Sequence, residues 1–125
     1  MQRRTNQRAA IRRALEQANR PLSPQEILDL AEDGAPGLGI ATVYRALKSL
    51  VEKGWLRTVD LPGGPSRYEL TGKDHHHHFH CRACDRVYEV DDCPGEVAGL
   101  APAGFRTEDH EIILYGRCAA CTGTG

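Results

Sequence analysis

The sequence predicts a chain of mixed α and β structure, of the α+β kind, folded as two small units over residues 1–71 and 72–125. Three observations lead there. The N-terminal half carries apolar residues at helical spacing in three successive segments, followed by two short stretches flanking a turn. The C-terminal half carries two Cys-x-x-Cys pairs, Cys81–Cys84 and Cys118–Cys121, near its start and its end. The charge also changes sign: residues 1–57 hold ten Lys and Arg against six Asp and Glu, and residues 58–125 hold six against eleven, although the whole chain is only −1. A chain of 125 residues is near the size of one domain, and two units are tenable when a metal staples the lesser one.

In the first segment Ile11, Ala14, Leu15 and Ala18 recur at helical spacing, with Thr5 placed as an N-cap. Ser23-Pro-Gln-Glu26 combines a capping box with proline at the first helical position, and Ile27, Leu30 and Ala31 follow as the expected buried stripe of a second helix that Gly34 ends. A third helix turns Val43, Leu47, Leu50 and Val51 inward, and Gly54 suits its left-handed cap. Residues 55–60 and 66–70 then read as strands about Leu61-Pro-Gly-Gly-Pro65. Helices closed by such a hairpin make a winged helix-turn-helix, whose last helix can enter a major groove while the wing meets the backbone. A generic small helical domain would show the same pattern.

The boundary falls at residues 71–74, where the charge changes sign and a histidine run begins. Beyond it, residues 86–90 read as a strand, residues 94–100 as a short helix opened by Pro94, and residues 105–115 as a longer strand. No apolar run approaches the ~20 residues of a membrane-crossing helix, and the basic start lacks the apolar stretch of a secretory signal. A cytoplasmic place and no membrane partner are therefore expected. The basic half would attract phosphate, and the acidic, histidine-rich half cations.

Each Cys-x-x-Cys pair can present two thiolates to one tetrahedral zinc ion, which would tie the start of the C-terminal unit to its end and couple metal binding to folding. A redox pair or disulfides would need a thioredoxin-like helix start or an oxidising compartment. Cys93 is left over beside Asp91 and Asp92; a lone cysteine is most often simply packed, with a metal or redox role as the minority reading. Five of the six histidines fall in His75-His-His-His-Phe-His80. In an extended segment alternate residues face opposite sides, so His75 and His77 would point one way and His76 and His78 the other. One strand could feed two metal sites, with Glu69, Glu89, Glu96 and His110 as further donors; such nitrogen and oxygen sets suit zinc, iron(II) or manganese(II). A solvated polar loop is the competing reading.

Gly39-Ile-Ala-Thr-Val-Tyr-Arg-Ala-Leu47, Tyr68-Glu-Leu-Thr71, His75 to His78 ahead of Cys81-Arg-Ala-Cys84, and Leu114-Tyr-Gly-Arg-Cys118 occur in this order and spacing. In these motifs the chain resembles the ferric uptake regulator superfamily of bacterial metal-responsive repressors over almost its whole length. The resemblance implies a winged-helix domain hinged to an α/β dimerisation domain, with Thr42, Tyr44 and Arg45 on the recognition helix and Arg4, Thr5 and Arg8 on an N-terminal segment that approaches DNA. It implies structural zinc on Cys81, Cys84, Cys118 and Cys121, a regulatory divalent metal on Glu69, His76, His78 and Glu89, and a further site on His75, His77, Glu96 and His110. Two departures stand out. Where many members carry a histidine that completes the regulatory site, this chain has Pro21, which leaves Asp60 or a smaller ligand set; and His77 stands where relatives often have aspartate.

The function so implied is that of a homodimeric, metal-dependent repressor of metal-homeostasis genes on a palindromic, AT-rich operator in double-stranded DNA, with zinc slightly ahead of iron(II) as effector. A manganese or peroxide sensor of the same family is the alternative. A metallohydrolase needs an open coordination position and a placed base, and no His-Glu-x-x-His occurs. A metal buffer would leave the basic half and the wing without a purpose.

Overall fold

The computed structural model of the chain describes residues 2–72, 76–93 and 97–123, with side chains from Asn6 onward. It divides into two units, residues 1–73 and 74–125.

The N-terminal unit begins with α1, Gln2–Ala18. Thr5 therefore lies within the helix and does not cap it, because the helical backbone continues toward the N-terminus. Ala10, Ile11, Ala14 and Leu15 form its buried stripe, and Asn19 ends it in the left-handed region at φ 50°, where asparagine is better tolerated than most residues. Helix α2, Pro24–Ala31, opens on a complete capping box: the Glu26 amide donates to Ser23 Oγ at 3.2 Å and the Ser23 amide donates to Glu26 Oε1 at 3.0 Å. Pro24, Ile27 and Ala31 are buried. Leu30, expected inside, is 53% exposed, because Leu28 and Leu30 flank the Ile27–Ala31 line on opposite sides and the core takes Leu28. A 3-10 turn, Glu32–Gly34, carries the chain past the end of the helix.

Helix α3, Ile40–Glu52, buries Val43, Ala46 and Leu47. Its end is a Schellman motif: the Trp55 amide donates to Leu50 O at 2.9 Å and the Gly54 amide to Val51 O at 3.0 Å, with Gly54 at φ 80°. Strands β1, Leu56–Val59, and β2, Arg67–Leu70, pair antiparallel with Leu56 opposite Leu70 and Val59 opposite Arg67. Leu22 and Tyr68 exchange backbone hydrogen bonds at 2.9 and 2.8 Å, which fastens the hairpin to the turn between α1 and α2. Ile11, Leu22, Ile27, Val43 and Leu47 make the centre of the core at 0% exposure; each such side chain contributes about 1.5–3 kcal/mol of burial.

The C-terminal unit is a three-stranded sheet in the order β4-β3-β5. Strand β3, His77–Cys81, lies in the middle, antiparallel to β4, Val87–Val90, and parallel to β5, Ile113–Gly116. A 3-10 turn, Val97–Leu100, stands in the region expected to be helical from Pro94, whose first residues lie outside the described ones. The strand expected over residues 105–115 is confined to β5, because β3 begins at His77, which falls opposite Ile112 in this register, and offers no ladder partner to residues further upstream; Phe105 is 72% exposed. After β5 a short helix, α4, Ala119–Thr122, follows Cys118.

The two cores differ in kind. Among the described residues of the C-terminal unit the buried ones are His76, His77, His78, Cys81 and Val87, a single aliphatic side chain among metal-ligating ones. Such a unit cannot be held by apolar burial alone. No helix among the described residues is long and apolar enough to cross a membrane.

Candidate metal centres and nucleic-acid face

Strand β3 ends at Cys81, and the chain turns back at once into β4. The Asp85 amide donates to Cys81 O at 2.8 Å and the Cys81 amide donates to Arg86 O at 2.9 Å, with Asp85 in the left-handed region at φ 66°. This tight turn points the Cys84 amide at Cys81 Sγ, 3.4 Å away; the Cys118 amide approaches the same sulfur at 3.3 Å. Those two donors hold the Cys81 thiol down to about 6 from an ordinary value of 9.0. Cys118 is also lowered, chiefly by a hydrogen bond from the Tyr88 hydroxyl, whereas Cys121 is pushed up to about 12 by sharing its proton with the Cys118 and Cys81 sulfurs. Tyr88 was not singled out in the sequence, since only the β4 register brings its ring to the cysteines.

The ligand atoms of Cys81, Cys84, Cys118 and Cys121 all lie within 4.8 Å of one another. Cys84 Sγ and Cys118 Sγ are 3.8 Å apart, matching the edge of about 3.8 Å that a tetrahedron with zinc–sulfur bonds of about 2.3 Å requires. The four sulfurs fit a structural zinc ion, and the two depressed thiols are the form such an ion binds.

Alternation along β3 separates the histidines. His76 and His78 share one face, with ring centroids 4.9 Å apart and both rings buried. Glu89 stands opposite His78 in the β3–β4 register. Glu69, the remaining expected donor of that set, lies on β2 in the N-terminal unit at 1% exposure and accepts from Arg57 Nε and Nη2 at 3.2 and 3.1 Å. Pro21, buried in the same unit, has no ligating atom. Asp60 accepts from the Ser66 hydroxyl across the wing.

On the opposite face His77 is 1% exposed. Its Nε2 lies 3.3 Å from Cys93 Sγ, and His110 Nε2 approaches that sulfur at 3.1 Å. The structure thus groups His77 and His110 with Cys93, for which the sequence favours simple packing over a metal or redox role. His75 and Glu96, expected on this face, lie outside the described residues.

The N-terminal unit presents a different chemistry. On α3 the buried Val43, Ala46 and Leu47 leave Tyr44 and Arg45 exposed, Tyr44 at 53%. Thr42 is half-buried and accepts from Arg45 Nη2 at 3.1 Å, which steadies the guanidinium on the outer face. Arg8, Arg12, Arg13 and Lys53 line a basic groove between α1 and the end of α3, where the Arg12 guanidinium stacks 3.6 Å from the Trp55 ring centre. The side chains of Arg4 and Thr5 lie outside the described ones.

Residues 2–115 match the model of the Ferric uptake regulator family. The chain is 36% identical over 100 residues to the "Ferric uptake regulation protein" of Shigella flexneri, covering 76% of this chain and 64% of that protein, so it spans just under two thirds of that relative's length. To the "Zinc uptake regulation protein" of Mycobacterium tuberculosis it is 36% identical over 120 residues, 94% of this chain and 92% of the other. A solved "zinc-bound manganese uptake regulator" superposes with a TM-score of 0.78 at 30% identity, over 90% of this chain and 87% of that one.

Proposed function

The chain belongs to the ferric uptake regulator family, and on that premise we propose that it is a metal-responsive transcription regulator that binds DNA as a homodimer in the cytoplasm and represses metal-homeostasis genes. The observation that supports this best is the pairing, in one chain, of an exposed polar face on α3 beside a hairpin wing with a sheet whose central strand is built from buried metal donors.

In this reading Cys81, Cys84, Cys118 and Cys121 hold a structural zinc ion that makes up for the poor apolar core of the C-terminal unit. His76, His78 and Glu89 hold the regulatory ion, and the family pattern adds Glu69 as a further donor. A further ion belongs to the opposite face of β3, on His77 and His110, with His75 and Glu96 carried over from the family pattern. When bound, the regulatory ion supplies a cross-link that favours the DNA-competent arrangement of the dimer.

The N-terminal unit does the reading. Tyr44 meets thymine methyls or base edges, Arg45 a phosphate or guanine, and Thr42 positions Arg45. Arg4, Thr5 and Arg8 approach the backbone from α1. A two-fold dimer reads a palindrome, and thymine contacts make that palindrome AT-rich. Zinc is put slightly ahead of iron(II) and manganese(II) as the effector in this reading, a preference that the count of zinc-type ligands in the chain supports.

The test is the affinity of the full chain for a palindromic, AT-rich duplex across buffered zinc, iron(II) and manganese(II) at fixed salt. Tightest binding with zinc supports the reading. Tighter binding with manganese(II) or iron(II) moves the effector within the family, and metal binding without DNA binding leaves only a metal buffer.

A further inference from the structure

Cys93 is the fifth of five cysteines and stands outside the four-sulfur cluster. Its sulfur is 3.3 Å from His77 Nε2 and 3.1 Å from His110 Nε2, and the two rings lie 5.0 Å apart at a mutual tilt of 33°. Three segments meet there: β3, the loop after β4 and the stretch ahead of β5. A tetrahedral zinc ion bonded to nitrogen at about 2.0 Å and sulfur at about 2.3 Å separates those donors by roughly 3.5 Å. A spreading of a few tenths of an ångström admits the ion.

We propose that Cys93 is the sulfur donor of the further metal centre placed above on His77 and His110, giving it a two-nitrogen, one-sulfur set that takes zinc in preference to iron(II) or manganese(II). The thiolate makes the choice. A set of imidazoles and carboxylates is open to all three ions, whereas sulfur favours zinc over the harder manganese(II). The inference deepens the further site of the proposed function and rests on that reading, and it holds whichever ion regulates DNA binding.

Loading the site has a consequence at Ile112. The Ile112 amide donates to His77 Nδ1 at 3.1 Å, so the neutral ring keeps its proton on Nε2, facing the Cys93 sulfur. An ion at Nε2 requires that proton on Nδ1, and the Cys93 thiol loses its own proton to solvent. The ring then presents N–H to an N–H, and the Ile112 contact opens. Ile112 O accepts from the His78 amide at 3.1 Å, so the opening occurs beside the residue that serves the other face of β3.

The experiment uses the full reduced chain with zinc retained in the four-cysteine site, titrated with cobalt(II) and followed by near-ultraviolet absorption. Because the other four cysteines are occupied, added cobalt can show a thiolate-to-metal band only through Cys93; zinc content is measured alongside to exclude exchange. The expected result is such a band in the wild type, its loss in Cys93→Ser and Cys93→Ala, and a cobalt Kd raised at least roughly tenfold in His110→Ala. With zinc in place of cobalt, the Ile112 amide resonance should shift in the wild type and stay fixed in Cys93→Ser. Cobalt taken up without a thiolate band, a band that survives loss of Cys93, or no cobalt uptake at all would overturn the proposal. The wild-type spectrum decides even where a variant folds poorly.

Discussion

Cys84 Sγ and Cys118 Sγ lie 3.8 Å apart although 34 residues separate them in the chain. The contact closes the greater part of the C-terminal unit into one loop. In a unit with a single described buried aliphatic residue, Val87, that closure carries much of the folding free energy. Cys118→Ser or Cys81→Ser should therefore release a tightly held zinc and unfold this unit, with DNA binding lost as a consequence. Zinc content by mass spectrometry and a thermal melt check this; one zinc per chain and an unchanged Tm would remove the assignment.

Glu26 joins two kinds of stabilisation in the other unit. Its carboxylate accepts the Ser23 amide, pairs with Arg20 at 2.9 Å and lies 3.6 Å from the buried Arg67. Glu26→Ala should cost about 1–3 kcal/mol, as loss of a cap and of charged hydrogen bonds. Glu26→Gln keeps the cap acceptor and should fall between wild type and Glu26→Ala. Denaturant melts of the three proteins test the order.

Tyr44 and Arg45 are exposed and belong to the N-terminal unit, whereas the four cysteines and the histidines of the metal sets belong to the C-terminal unit. Tyr44→Ala and Arg45→Ala should weaken operator binding and leave metal content and dimerisation unchanged. If Arg45 contacts a phosphate, the salt slope should also fall by about one unit. Unaltered operator affinity in both variants would reject α3 as the reading helix.

His76 and His78 share one face of β3, and His77 looks the other way toward Cys93 and His110. His76→Ala with His78→Ala should abolish the metal response of DNA binding while the four-cysteine zinc stays. His77→Ala with His110→Ala should spare the response and lower stability. Metal titrations and operator binding on the two double variants separate the faces, and an intact response in the first would move regulation to the second.

The local signals were legible in the sequence where chemistry acts between near neighbours. Ser23 and Glu26 announced the capping box, Gly54 the left-handed end of α3, and the alternation of His76, His77 and His78 the two faces of β3. What depends on distant packing was not legible. Leu28 and Leu30 flank α2 symmetrically, and only the packed core chooses between them. Cys93 sits in a loop beside two aspartates, and nothing local shows that β3 and the segment ahead of β5 bring His77 and His110 onto its sulfur. The expected strand over residues 105–115 failed for the same reason, since a strand exists only as far as its partner β3 reaches.

The central claim is that metal and DNA are coupled through one chain. It is tested most directly by measuring operator affinity at fixed salt for the full chain with its four-cysteine zinc retained, once with buffered free zinc and once with a chelator too weak to strip that site. The account predicts tightening within the roughly 5–150-fold range of ordinary allosteric coupling, and an equal tightening of zinc binding when operator is present. Equal operator affinities with and without free metal, in the company of intact DNA binding, would contradict it.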